Sequence, residues 1–94
     1  MISRQLDLFE REHADVTEEC DELERAYNTA PRDEAEERYG DYVDAVETGT
    51  EILADIRDHF KWTLDDDTGE LYEEEFNRAV LKRFPRFALE IENR

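Results

Sequence analysis

The chain has 94 residues, enough for one domain, and at this length folding buries only about 60–65% of the unfolded surface. Its 28 Asp and Glu against 12 Lys and Arg give a net charge of −16, which argues against anionic lipid and bare nucleic acid as partners. A lone cysteine, Cys20, excludes an intrachain disulfide and a cysteine metal cluster, and no apolar run approaches the roughly 20 residues that cross a bilayer.

In the first segment, Ile2, Leu6, Phe9, His13, Val16, Cys20, Leu23 and Tyr27 recur at alternating steps of four and three. That is a heptad seam with one polar member. No Gly or Pro interrupts it, and Pro31 stops it. The pattern predicts one helix over about 2–29.

The second segment repeats the seam through Ala35, Tyr39, Tyr42, Val46, Gly49, Leu53, Ile56, Phe60 and Thr63. It predicts a helix over about 33–64. Gly49, flanked by Thr48 and Thr50, is its weak point, costing about 1 kcal/mol. Because the seam keeps its phase there, a continuous or kinked helix is expected rather than a break. Seam positions whose numbers sum to 62 face one another in an antiparallel hairpin folded at Pro31. The layers run from Ile2/Phe60, Leu6/Ile56, Phe9/Leu53 and His13/Gly49 to Val16/Val46, Cys20/Tyr42, Leu23/Tyr39 and Tyr27/Ala35. His13 is expected to fill space above Gly49, and His59 to be exposed.

Between the second and third segments lies Thr63-Leu64-Asp65-Asp66-Asp67-Thr68-Gly69-Glu70. With Gly69 at position 6 of an EF-hand loop, Asp66 and Glu75 take ligand positions 3 and 12, but Leu64 stands where the first carboxylate belongs. The Asp65–Glu75 stretch is therefore a weak cation candidate. The preferred expectation is an acidic turn with a left-handed Gly69, capped by Asp67 or Thr68. Trp62, in Phe60-Lys61-Trp62, closes the open end of the hairpin or offers a contact site.

Leu71, Tyr72, Phe76, Ala79, Val80, Arg83 and Phe84 predict a third helix over about 70–84. It should fold back on a flank offering Val43, Ala45 and Ile52, and cover the hairpin near residues 2–13 and 49–63. Pro85 ends it, with a short helical turn possible over 86–91. Arg78, Lys82, Arg83 and Arg86 concentrate positive charge beside Phe84 and Phe87. Such a patch suits an anion or a partner, or else neutralises the neighbouring acidic helices.

The third helix is too short to cover the hairpin's far end. Leu23, Tyr27, Tyr39, Tyr42 and Val43 are thereby predicted to contact a second copy of the chain, unless long Glu and Arg stems lie over them. The expected fold is all-α, a single helical domain over 1–94: a long antiparallel hairpin with a shorter third helix.

An acid excess of this size destabilises a small fold by self-repulsion, yet 10 aromatics and clear periodicity argue against disorder. At about 1 M salt the Debye length is near 3 Å and the repulsion fades. The acid load, the preference for Arg over Lys, and stretches such as Asp21-Glu22-Leu23-Glu24-Arg25-Ala26-Tyr27 and residues 57–94 resemble the small acidic helical proteins of unknown function found in halophilic archaea. The resemblance implies a salt-rich cytoplasm and transfers no catalytic residue.

The charged N-terminus likewise predicts no secretory leader and a cytoplasmic location. No nucleophile, base or metal set stands out; carboxylate pairs arise by chance at this acid content. The expectation is a non-enzymatic helical interaction module that self-associates as a homodimer, without a cofactor and without a membrane. An unidentified protein partner remains compatible with this. The alternative is a nucleic-acid regulator, acting as an acidic mimic or through Arg78–Arg86. Divalent-cation binding at Asp65–Glu75 is more remote.

Overall fold

The computed structural model describes residues 1–94 and is all-α. Five helices follow in order: α1 Ile2–Glu12, α2 Ala14–Thr29, α3 Ala35–Lys61, α4 Asp66–Arg83 and α5 Pro85–Ile91. They make an elongated body of 51 × 24 × 19 Å. No helix is long and apolar enough to cross a membrane.

The chain doubles back after Pro31 as its periodicity predicts, and α2 packs along α3. Val16, Cys20 and Val46 are buried there. The helix α3 passes through Gly49 without a break. Its buried Thr50 donates its hydroxyl to the Val46 carbonyl at 2.8 Å, so a core threonine costs no unpaired polar group.

The first predicted helix is two helices. At His13 the backbone leaves the helical region, with φ −121° and ψ 33°. The His13 N–H closes α1 on the Phe9 carbonyl, and the His13 carbonyl accepts from Val16 and Thr17. No Gly or Pro stands at this break; aromatic rings pack beside it. Phe9 meets Phe84 and Phe87, both edge-on, at centroid distances of 5.4 and 6.0 Å. Phe87 in turn sits over Gly49, where an added Cβ would lie 2.5 Å from its ring. The Phe87 ring thus fills the space that the two-stripe pattern assigns to His13, and His13 lies tilted beside Phe9 instead, at 5.7 Å.

As a result, α1 takes α4, not α3, as its main partner outside α2. Leu6 and Phe9 still share one core with Leu53, joined by Ala54, Tyr72, Phe76, Val80, Phe87, Ala88 and Ile91. The short C-terminal helix α5 is therefore a core element, with Phe87, Ala88 and Ile91 buried. Pro85 opens it at the first helical position, where its missing N–H costs nothing.

The acidic turn is also rearranged. Helix α4 starts at Asp66, so Gly69 is helical and not left-handed. The cap is Asp65, whose side chain accepts from the Thr68 N–H at 3.1 Å, rather than Asp67 or Thr68. Gly69 is buried because the Lys61 stem crosses it, with Lys61 Cγ 3.2 Å from where a Cβ would stand. The glycine serves the close approach of α3 and α4 rather than a turn.

Candidate interaction surfaces

The basic cluster is placed by the Arg83–Arg86 elbow between α4 and α5. Arg83 reaches back to α1, 2.6 Å from Asp7 and also in contact with Glu10. These carboxylates hold its guanidinium above the ordinary arginine range. Arg86 reaches α2, 2.9 Å from Asp21 and 3.6 Å from Glu24, and lies over the Tyr42 ring at 5.9 Å. Burial alone would lower the Arg86 pKa; the hydrogen bond to Asp21 and the field of Tyr42 outweigh it, and the net shift is upward. Arg78 pairs with Glu75 on its own helix at 2.8 Å. Lys82 is exposed and stands outside these pairs. The four cations do not converge on one patch: two of them clamp α1 and α2 to the elbow.

Beside Arg86, burial raises the pKa of the Cys20 thiol and of the Tyr42 hydroxyl, against the opposing field of the guanidinium. Cys20 is fully buried and unpaired. No three His, Cys, Asp or Glu side chains gather closely enough to hold a metal ion. Asp66 and Glu75, the weak cation candidates, are nine positions apart on the single helix α4, roughly 13 Å along its axis. One ion cannot bridge them.

At the hairpin tip, the Tyr27 and Tyr39 rings lie 5.2 Å apart and remain 38% and 51% exposed. Leu23, Tyr42 and Val43 on the same two helices are half-buried. At the opposite end Trp62 is 84% exposed. It therefore does not close the hairpin, and it borders a depression with Lys61, Leu64, Asp65, Asp66, Gly69 and Glu70.

Among the buried residues that the periodicity missed is a charged one. Arg57 is 0% exposed, inside the layer where α3, α4 and α5 meet. Its Nε donates to Asp58 at 2.9 Å and lies 3.6 Å from Glu73. Its Nη1 donates to Asn77 Oδ1 and to the Ile91 carbonyl at 3.0 and 2.9 Å, while Nη2 is buried without a partner. Lys61 joins the same Glu73 at 3.0 Å. The available signal was a second stripe on α3, Val46, Thr50, Leu53 and Arg57, in which a long cation looks like the outer edge of the apolar face.

On the α1 side of α3 lies an open groove of about 570 Å³ lined by Gln5, Ile52, Asp55, Ile56, His59, Phe60 and Thr63. Searches against protein-family models, curated proteins and solved structures find no match to this chain.

Proposed function

We propose that the chain is a non-enzymatic helical interaction module that pairs with a second copy of itself through the hairpin tip, in concentrated salt. The exposed Tyr27–Tyr39 pair, its rings tilted at 54° to each other, carries this reading. The α5 arm reaches this end through Arg86, on Asp21, Glu24 and Tyr42, and the two tyrosines lie beyond it. Tyrosine presents much apolar area with few rotamers to freeze, which suits an interface. A twofold contact uses such a patch twice. Two bodies of net charge −16 associate this way only where salt screens them.

The ion pairs of Arg78, Arg83 and Arg86 weigh against a phosphate-binding role for the basic cluster, since each cation already faces a carboxylate. Sedimentation of the parent chain and of Tyr39→Glu in high salt tests the proposal. The parent should sediment as a dimer and the variant as a monomer. A parent chain that stays monomeric at every concentration ends this reading.

A further inference from the structure

The geometry points to the groove between α1 and α3 as the docking site for a cationic amphipathic helix from another protein. The groove exists because α1 bends at His13. The two-stripe pattern would lay Ile2 and Leu6 on Phe60 and Ile56. Instead Leu6 and Phe9 turn into the core with Phe76, Val80 and Phe87. At the groove, α1 contributes Gln5, whose Oε1 accepts from the Tyr72 hydroxyl at 2.8 Å. Ile52, Ile56 and Phe60 are left half-buried along the floor.

The shape of the lining selects a helix. Ile52, Ile56 and Phe60 recur every four residues, and so do Asp55, His59 and Thr63 beside them. Rows at four-residue spacing are the ridges between which another helix seats its own side chains, and apolar anchors one turn apart are how a helix fills such a groove. The floor is apolar and the adjoining row is polar, so the occupant needs one apolar and one polar face.

Charge selects its sign. The lining contains Asp55 and no Lys or Arg, in a chain of net charge −16. A helix flanked by Lys or Arg sets a cation against Asp55 at contact range, where salt screens least, whereas a second copy brings mostly carboxylates to the same place. The groove lies away from the tip: Tyr39 and Ile56 are 17 positions apart on α3, roughly 25 Å along its axis. Docking here is therefore independent of self-association.

The test uses the full chain and two synthetic peptides of about 14 residues with leucines at i, i+3, i+4 and i+7. One carries lysine at its other positions and the other glutamate; each bears a fluorescent label, and binding is read by anisotropy at a salt concentration where circular dichroism shows the fold intact. The lysine peptide is expected to bind saturably, one to one, and the glutamate peptide at least about tenfold more weakly. Ile56→Asp should weaken the lysine peptide by about tenfold or more. Asp55→Lys changes only the exposed rim, so it keeps the test decisive if Ile56→Asp fails to fold. It should weaken the lysine peptide and strengthen the glutamate one. Tyr39→Glu, which tests the tip, should bind the lysine peptide as the parent does.

Three outcomes overturn the proposal. The first is no saturable binding of the lysine peptide. The second is equal binding by the parent, Ile56→Asp and Asp55→Lys, which marks loose polyelectrolyte attraction. The third is dissociation of a dimer by the peptide in sedimentation, which makes a second copy the occupant.

Discussion

The Phe87 ring lies directly on Gly49, at a distance that a Cβ on residue 49 would reduce to 2.5 Å. Gly49→Ala sets two effects against each other. Alanine in a helix interior is better than glycine by about 1 kcal/mol, but overpacking a tight core costs about 1–3 kcal/mol. Both atoms nearest the added Cβ belong to a ring buried on all sides, which has little room to yield. The net expectation is destabilisation, read as a lower midpoint in denaturant melts. Phe87→Ala alone should cost about 3–5 kcal/mol. The double variant should cost less than the sum, since removing the ring removes the clash.

Gly40 is the internal control. It lies within the same helix, is exposed, and an added Cβ meets nothing within 4 Å. Gly40→Ala should stabilise the fold by about 0.5–1 kcal/mol. Destabilisation there would mean that the surface around Gly40 is covered in solution.

Arg57 should tolerate neither truncation nor the exchange for lysine. Arg57→Lys keeps the charge but cannot reach Asp58, Asn77 and the Ile91 carbonyl together, because the planar fork is lost. Asn77→Leu leaves Nη1 with the Ile91 carbonyl as its one acceptor and one buried N–H unpaired, at a cost of about 1–3 kcal/mol. Calorimetric melts of the two variants check both. A melt of Arg57→Lys that overlays the parent would show that charge alone suffices there.

Cys20 should be a reporter of unfolding. The thiol is buried and its pKa is raised chiefly by desolvation, so thiolate is scarce and sheltered. Alkylation at pH 8 should run at least about tenfold slower in the folded chain than in denaturant. The linkage has a definite sign. The folded state holds the proton more tightly than the unfolded thiol, whose pKa is about 8.5. The stability present below that value declines as pH rises toward the higher folded pKa. Cys20→Ala should therefore flatten the alkaline limb of the stability profile.

Dilution into low salt should unfold the chain. Ten ion pairs offset part of the acid load, but a net charge of −16 remains. Near 0.01 M salt the Debye length is about 30 Å, longer than the two short dimensions of the body. Helical circular dichroism should fall on dialysis and return with salt. A signal unchanged at low ionic strength would contradict the high-salt setting.

The hairpin was legible because a heptad seam reports which residues face inward whatever they face. Val16, Cys20 and Val46 were found in this way. The seam could not say which partner each residue would meet. Leu6 and Phe9 are buried as their spacing predicts, but against α4 and α5, because Phe87 competes for the place beside Gly49. That outcome depends on volumes contributed by a segment of seven residues, too short for a periodic signal. The acidic turn misled for a local reason: Gly69 reads as a loop residue, whereas its missing Cβ makes room for the Lys61 stem. The basic cluster looked like one surface because its members are close in sequence. The elbow at Pro85 turns Arg83 toward α1 and Arg86 toward α2. Arg57 was hidden because a charged side chain in a stripe is ordinarily its solvent edge.

The Ile91 carbonyl accepts from Arg57, 34 positions earlier, and Ile91 itself is wholly buried. During synthesis, the guanidinium and the bare strip at Gly49 stay uncovered until α5 has left the ribosome. Nascent chains stalled short of α5 should thus be open to protease across α3, and protection should arrive in one step once α5 is free.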